Sequence, residues 1–131
     1  MAEFLDPLNV IEVDDVFFQV ADHPFRYQSD LAADMITVPV GFRTDFASVP
    51  RFGWVYSIFG NIAHQAAVIH DWLYYAGITS RKQADRILLE AMEVTGIGWR
   101  QYPIYWQVRQ WGWEPWNAHR KAHHNVRSLM P

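Results

Sequence analysis

The sequence predicts an α+β protein, with a small antiparallel N-terminal sheet followed by three or four helices, two of them an antiparallel core pair. Three observations lead there. Apolar residues recur at a period of two up to about residue 45 and at a helical period from Asn61 onward. Turn signals cut the first region into short runs, and capping signals bracket the second. Half of the 131 residues are hydrophobic and 16% are aromatic, enough for a packed core and contrary to disorder. The length fits a single domain, 1–131. Residues 1–60 are mainly strand and loop, and 61–131 are mainly helical.

The strands come first. "VFFQV" (16–20) and "FRYQS" (25–29) are short β-branched or aromatic runs separated by "ADHP", a turn signal. "MITVPVGF" (35–42) alternates Ile36, Val38, Val40 and Phe42 on one face, and Pro39 marks an edge or a bulge. "RTDFASVPRFG" (43–53) reads as a loop. The first helix runs from Asn61, a suitable N-cap, to Gly77, a suitable stop. The second starts at Ser80, whose spacing to Gln83 is that of a capping box, and ends near Thr95–Gly96. The third begins near Pro103, a good first-turn residue, and carries Ile104, Tyr105, Val108 and Trp111 at helical spacing. The tail "NAHRKAHHNVRSLM" (117–130) suits a short final helix.

Charge and composition exclude several classes. There is no cysteine, hence no disulfide framework and no thiolate zinc site. The opening "MAEFLDPLNV" lacks the pattern of a secretory signal, and no run is long enough to span a bilayer. A soluble protein made in the cytoplasm is the expectation. The net charge is −3. Residues 1–60 hold three arginines against nine acids, and residues 61–131 hold eight Lys and Arg against five acids. Nucleic-acid binding is not expected from that balance.

The polar residues inside apolar helices are the informative ones. The first helix is apolar nearly all round, yet "AAVIHDWLYYAG" (66–77) carries His70 and Asp71 at its centre. On a wheel of about 100° per residue, His70 lies among Ala63, Ala66, Ala67 and Tyr74. His64 and Asp71 share another line. On the second helix Asp85 falls inside the apolar arc of Ala84, Ile87, Leu88, Leu89, Ala91 and Met92. An aspartate there needs a partner. Arg81 lies one turn back, and His70 sits on the neighbouring helix. If His70 donates a ring N–H to Asp85, its other nitrogen is left as a base. Asp71 and Asp45 could then supply oxygens to a cation.

Three blocks, "RTDFASVPR", "AAVIHDWLYYAG" and "SRKQADRILLEAM", resemble in order and spacing the signature of an uncharacterised family of small phage and prophage proteins, a domain of unknown function. The resemblance implies a phage or prophage origin and carries no activity. "HDWLY" is also similar to the His-Asp-x-x-Tyr pattern of phospholipases A2, with Asp85-Arg86 matching the aspartate-arginine step of their partner helix. That similarity implies His70 as general base, Asp85 as its orienting partner, Tyr74 in the same network, and Asp71 as a ligand of calcium or another divalent cation, joined by Asp45. The glycine-rich calcium loop and flanking cysteines of those enzymes have no counterpart here, so "TDFASVP" would stand in for the loop.

Plainer readings stand beside these. His70 and Asp85 could simply lock two helices. Asp71 and His64 could tie the first helix to the "TDFAS" loop through Thr44, Asp45 and Ser48. Arg81 could be a solvated first-turn side chain. His119, His123 and His124 include an i, i+4 pair as zinc sites do, but an exposed polar helix explains them. Trp99, Trp106, Trp111, Trp113 and Trp116, mixed with Arg100, Arg109 and Arg120, suit a protein interface better than base stacking or a membrane surface. Two functions follow. One is a phage-encoded hydrolase acting on an ester or amide bond of the host envelope. The other is a virion or assembly component that docks on other phage structural proteins through its Trp-rich C-terminal segment, placing the protein in the particle.

Overall fold

The structure is a computed structural model. It describes residues 2–13, 18–32, 34–44, 61–96, 98 and 101–123, without the side chains of Glu12, Asn61, Ile62, Ala63, His64, Gln107, Trp111 and His123. Asp45, Ser48, Trp99, Arg100 and His124 lie outside the described residues.

The β region forms two antiparallel three-stranded sheets. β1 (Glu3–Phe4), β4 (Phe25–Gln28) and β5 (Ile36–Val38) make one, with β4 central. β2 (Val10–Glu12), β3 (Phe18–Val20) and β6 (Arg43–Thr44) make the other, with β3 central. The "ADHP" turn joins them, and Asp22 adopts a φ of 71° there, a conformation that aspartate tolerates better than most residues. The predicted alternation over "MITVPVGF" stops at Pro39. Ile36 and Val38 are buried, but Val40 is 51% exposed. Gly41, with a φ of 95°, turns the chain out of the first sheet. Phe42 enters the second, where its carbonyl accepts from the Val20 N–H at 3.0 Å. One predicted face is therefore divided between two sheets.

Four helices follow: α1 (Asn61–Ala76), α2 (Arg81–Thr95), α3 (Gln101–Trp111) and α4 (Trp113–His123). Gly77 ends α1 with a φ of 64°, and its N–H reaches the Leu73 carbonyl at 3.0 Å. The link from Gly77 to Ser80 is too short for anything but a return of the chain, so α2 lies against α1, the most extensive helix contact. Ser80 caps α2 by accepting from the Gln83 N–H at 3.1 Å, and Gly96 closes the helix in the left-handed region. The reciprocal half of the predicted capping box is not made, because the Gln83 side chain donates to the Leu31 carbonyl. Pro103 sits in the first turn of α3 and Pro115 in that of α4, where neither interrupts a helical hydrogen bond.

The core joins both halves. Val20, Phe25, Tyr27, Ile36 and Val38 from the sheets meet Ile69, Leu73, Ile87 and Leu88 from the helices. Polar ties fix the arrangement. Glu90 on α2 accepts from the Tyr27 hydroxyl and the Ser29 hydroxyl, each at 2.7 Å, and from the Asp30 N–H at 3.1 Å. Phe42 packs edge-on against Trp72 and Tyr75 of α1, with centroids 5.2 and 5.5 Å away. Among the described residues no helix is long and apolar enough to cross a membrane.

Candidate functional site

The site is built on α1, α2 and α3. Small residues make room for it: Ala66 and Ala67 are buried beside His70 on α1, and Ala84 beside Asp85 on α2. His70 and Asp85 are both 0% exposed, and His70 Nε2 lies 2.7 Å from Asp85 Oδ1. The Tyr74 hydroxyl donates to the same oxygen at 2.6 Å. The predicted meeting of His70, Tyr74 and Asp85 is what the two helices produce.

The other carboxylate oxygen faces cations. Arg109 Nη1 of α3 donates to Asp85 Oδ2 at 2.7 Å, and Arg81 Nη1 lies 3.5 Å from it. The Arg81 guanidinium is turned mainly to the carbonyls of Val108, at 3.4 Å, and Arg109, at 3.2 Å. It is thus no solvated side chain: it draws the end of α3 against α2 and so brings Arg109 to Asp85. Arg86, the second residue of the aspartate-arginine step, is exposed. Arg109 is the member of this network that the sequence reading assigns, with the tryptophans, to a protein interface. Its signal was position: it follows Val108 directly and lies one turn beyond Tyr105, at the margin of the apolar stripe of α3.

Burial pushes the Asp85 carboxyl up, but the hydrogen bonds from His70, Tyr74 and Arg109 outweigh it and hold the group below the ordinary 3.8. Burial first, then the Asp85 charge and hydrogen bond, push the Tyr74 phenol well above its ordinary range. Asp85 is therefore an ionised acceptor and Tyr74 a donor. An ionised carboxylate only accepts, so His70 donates through Nε2–H. In the neutral imidazole this leaves Nδ1 as the lone-pair nitrogen. That Nδ1 is buried and has no hydrogen-bond partner among the described residues.

Asp71 belongs to another environment. It is buried at the face of α1 that meets the second sheet, where the Thr44 hydroxyl donates to its carboxylate. The expected link from α1 to the start of the "TDFAS" segment exists at Thr44. Its continuation through Asp45 and Ser48, and the side chain of His64, lie outside the described residues. Calcium takes about six to eight oxygens, and Thr44 with Asp71 falls short of that set. Among the described residues no group of three or more His, Asp or Glu side chains could hold a metal.

The C-terminal helices support the site from outside. Arg120 of α4 donates to the Tyr75 carbonyl at 2.6 Å and also to that of Tyr74, covering the C-terminal end of α1, which has no basic residue in its own last turn. Its guanidinium lies over the Trp116 ring, 4.8 Å from the centroid, and Trp116 packs edge-on against Tyr74 at 5.2 Å. Trp116 is thus part of the core margin, whereas Trp106 and Trp113 are 67% and 51% exposed. His119 contacts the Tyr75 ring, with centroids 5.8 Å apart. Gly112 joins α3 to α4 where a Cβ would stand 2.5 Å from both the Tyr74 hydroxyl and the Val108 carbonyl oxygen. Only glycine lets the junction approach Tyr74 this closely.

No curated protein and no solved structure matches the chain. A family model does, that of "Protein of unknown function (DUF1353)", over residues 10–108. That span takes in both sheets apart from β1, the His70–Asp85 helix pair and α3 as far as Val108. The chain belongs to the DUF1353 family, an uncharacterised one, in keeping with the expectation of a domain of unknown function.

Proposed function

We propose that the protein is a phage- or prophage-encoded accessory or virion-associated protein carrying a hydrolase-type His–Asp site arranged like that of phospholipases A2, directed at an ester or amide bond of the host envelope. The observation that carries this reading is the Nδ1 of His70. Both oxygens of Asp85 are engaged, yet the imidazole that Asp85 orients keeps one nitrogen without a partner among the described residues. In this scheme Asp85 holds Nε2–H, a local opening of the packing over the fully buried His70 admits water, and Nδ1 takes a proton from it. The water oxygen then bonds to the carbonyl carbon, and the imidazolium returns the proton to the departing alcohol or amine. A base positioned this way contributes about 10²–10⁴-fold to the rate. The test is hydrolysis of phospholipid vesicles and of peptidoglycan by wild type and His70→Ala. Release of fatty acid or of new amines by wild type alone supports the reading, and equal rates from both end it.

The full burial of His70 favours a second reading, a structural or assembly component in which the network only locks α1, α2 and α3 together. The exposed Trp106 and Trp113 would then serve docking on other phage structural proteins. Under it, phage particles carrying His70→Leu assemble and infect normally provided the protein still folds. Loss of infectivity with an unchanged melting temperature goes against it.

A further inference from the structure

We infer that Arg109 is a positioning residue for the His70–Asp85 pair: from the third helix it fixes the orientation and charge of the Asp85 carboxylate, and through it the tautomer of His70. This inference rests on the reading of His70 as a base and names what controls that base. A carboxylate at 0% exposure, left to burial alone, prefers to be protonated. A protonated Asp85 could turn its O–H toward His70 Nε2, which would move the imidazole proton to Nδ1 and remove the lone pair the reaction needs. The groups facing Asp85 are His70 and Tyr74 from α1, Arg81 from α2 and Arg109 from α3. Of the two guanidinium groups, Arg81 is 3.5 Å away and is shared with the carbonyls of α3, whereas Arg109 is at 2.7 Å. With Oδ2 held by Arg109, Oδ1 stays on His70 and Tyr74. Arg109 touches neither water nor substrate in the proposed reaction, so its part is to set the charge and angle of the group that orients the base.

The experiment uses the full chain and two NMR readouts that need no turnover: the side-chain carboxyl ¹³C shift of Asp85 against pH, and the ring ¹⁵N shifts of His70 at one neutral pH. In wild type Asp85 is ionised at neutral pH and His70 carries its proton on Nε2. In Arg109→Met the Asp85 midpoint rises by about three units, into the neutral range, where the protonated fraction shifts His70 toward the Nδ1–H form. Arg109→Lys retains most of the wild-type pattern. Val108→Ala loosens α3 without touching Asp85; it lowers the melting temperature and leaves both signals in place. Should Arg109→Met not fold, Arg109→Gln keeps a donor on Oδ2 and removes only the charge, and it too raises the midpoint. Unchanged Asp85 and His70 signals in the Arg109 variants, or the same change in Val108→Ala, overturn the proposal. A wild-type protein with the expected signals but no hydrolase activity would instead remove the function proposed above and leave the positioning role standing.

Discussion

Replacing Asp85 by asparagine tests the centre of the structure with almost no change of volume. The carboxylate is fully buried and receives His70 at 2.7 Å, Tyr74 at 2.6 Å and Arg109 at 2.7 Å. An asparagine amide accepts through one oxygen only. If that oxygen faces His70 and Tyr74, its NH₂ is pressed against the Arg109 guanidinium. If it faces Arg109, the NH₂ opposes the Tyr74 hydroxyl and the His70 N–H. Either way a partly buried cation loses its counter-charge and a donor is stranded. Breaking a buried pair from one side costs about 3–5 kcal/mol. That is a large share of the roughly 5–15 kcal/mol that stabilises a typical domain. At about 3–5 °C per kcal/mol for a chain of this size, the melting temperature falls by about 10–20 °C. Thermal unfolding followed by circular dichroism measures it, with urea unfolding to check that the slope, and so the extent of the transition, is unchanged. A fall of less than about 3 °C would show that Asp85 is solvated or replaceable, and the three-helix network would lose its claim to be central.

Other predictions follow from the same contacts. Because Asp85 is held below the ordinary 3.8, the unfolded chain binds its proton more readily than the folded one. The stability it contributes is complete above that value and is lost as pH falls through the folded pKa, so the melting temperature drops between about pH 5 and pH 2. Asp85→Asn should flatten that slope, and an identical acid profile in the variant removes the assignment. Tyr74→Phe loses one hydrogen bond to a charged acceptor and should cost about 1.5–3 kcal/mol in denaturant unfolding. Gly112→Ala should be strongly destabilising through its clash with Tyr74 and Val108, and Tyr74→Phe should relieve part of it; strictly additive losses in the double variant would contradict that geometry. Arg120→Met removes the cation that covers the end of α1 and should cost about 1 kcal/mol, and a neutral effect would mean that the contact with the carbonyls is not held in solution.

Much of this arrangement was legible because local signals and tertiary packing agree. Gly77, Ser80 and Gly96 act where their conformational preferences put them, and Asp85 betrays the network by interrupting an apolar arc with a group that needs a partner. The short link at Gly77–Ser80 then makes His70 a reachable partner. The division of the β region into two sheets was not legible. Val40 and Phe42 continue the alternation of Ile36 and Val38, and nothing local shows that the turn at Pro39–Gly41 hands Phe42 to different neighbours. Gln83 was misread for a similar reason: its spacing to Ser80 fits a capping box, but the Leu31 carbonyl competes for its amide. Arg109 escaped because α3 is placed by contacts with α2 through Arg81, and a basic residue beside an apolar stripe looks the same whether it meets solvent or a buried acid.

The network also separates the two functional readings by what each can lose. A purely architectural ion pair is often replaced by well-packed apolar residues at no cost in stability, or even with a gain of about 1–4 kcal/mol. If His70 and Asp85 only hold helices together, simultaneous replacement by leucine, with Arg109→Met, should leave a folded and functional protein. A base cannot be exchanged in this way: the fold could survive, but the chemistry could not. Architecture also has no use for His70 Nδ1, which is without a partner among the described residues. Locking α1 to α2 requires Nε2 alone, and a buried Nδ1 without a hydrogen bond is a loss of about 1–3 kcal/mol that a leucine at residue 70 would avoid. Among the described residues that nitrogen has no partner; the hydrolase reading gives it a role and the scaffold reading gives it none.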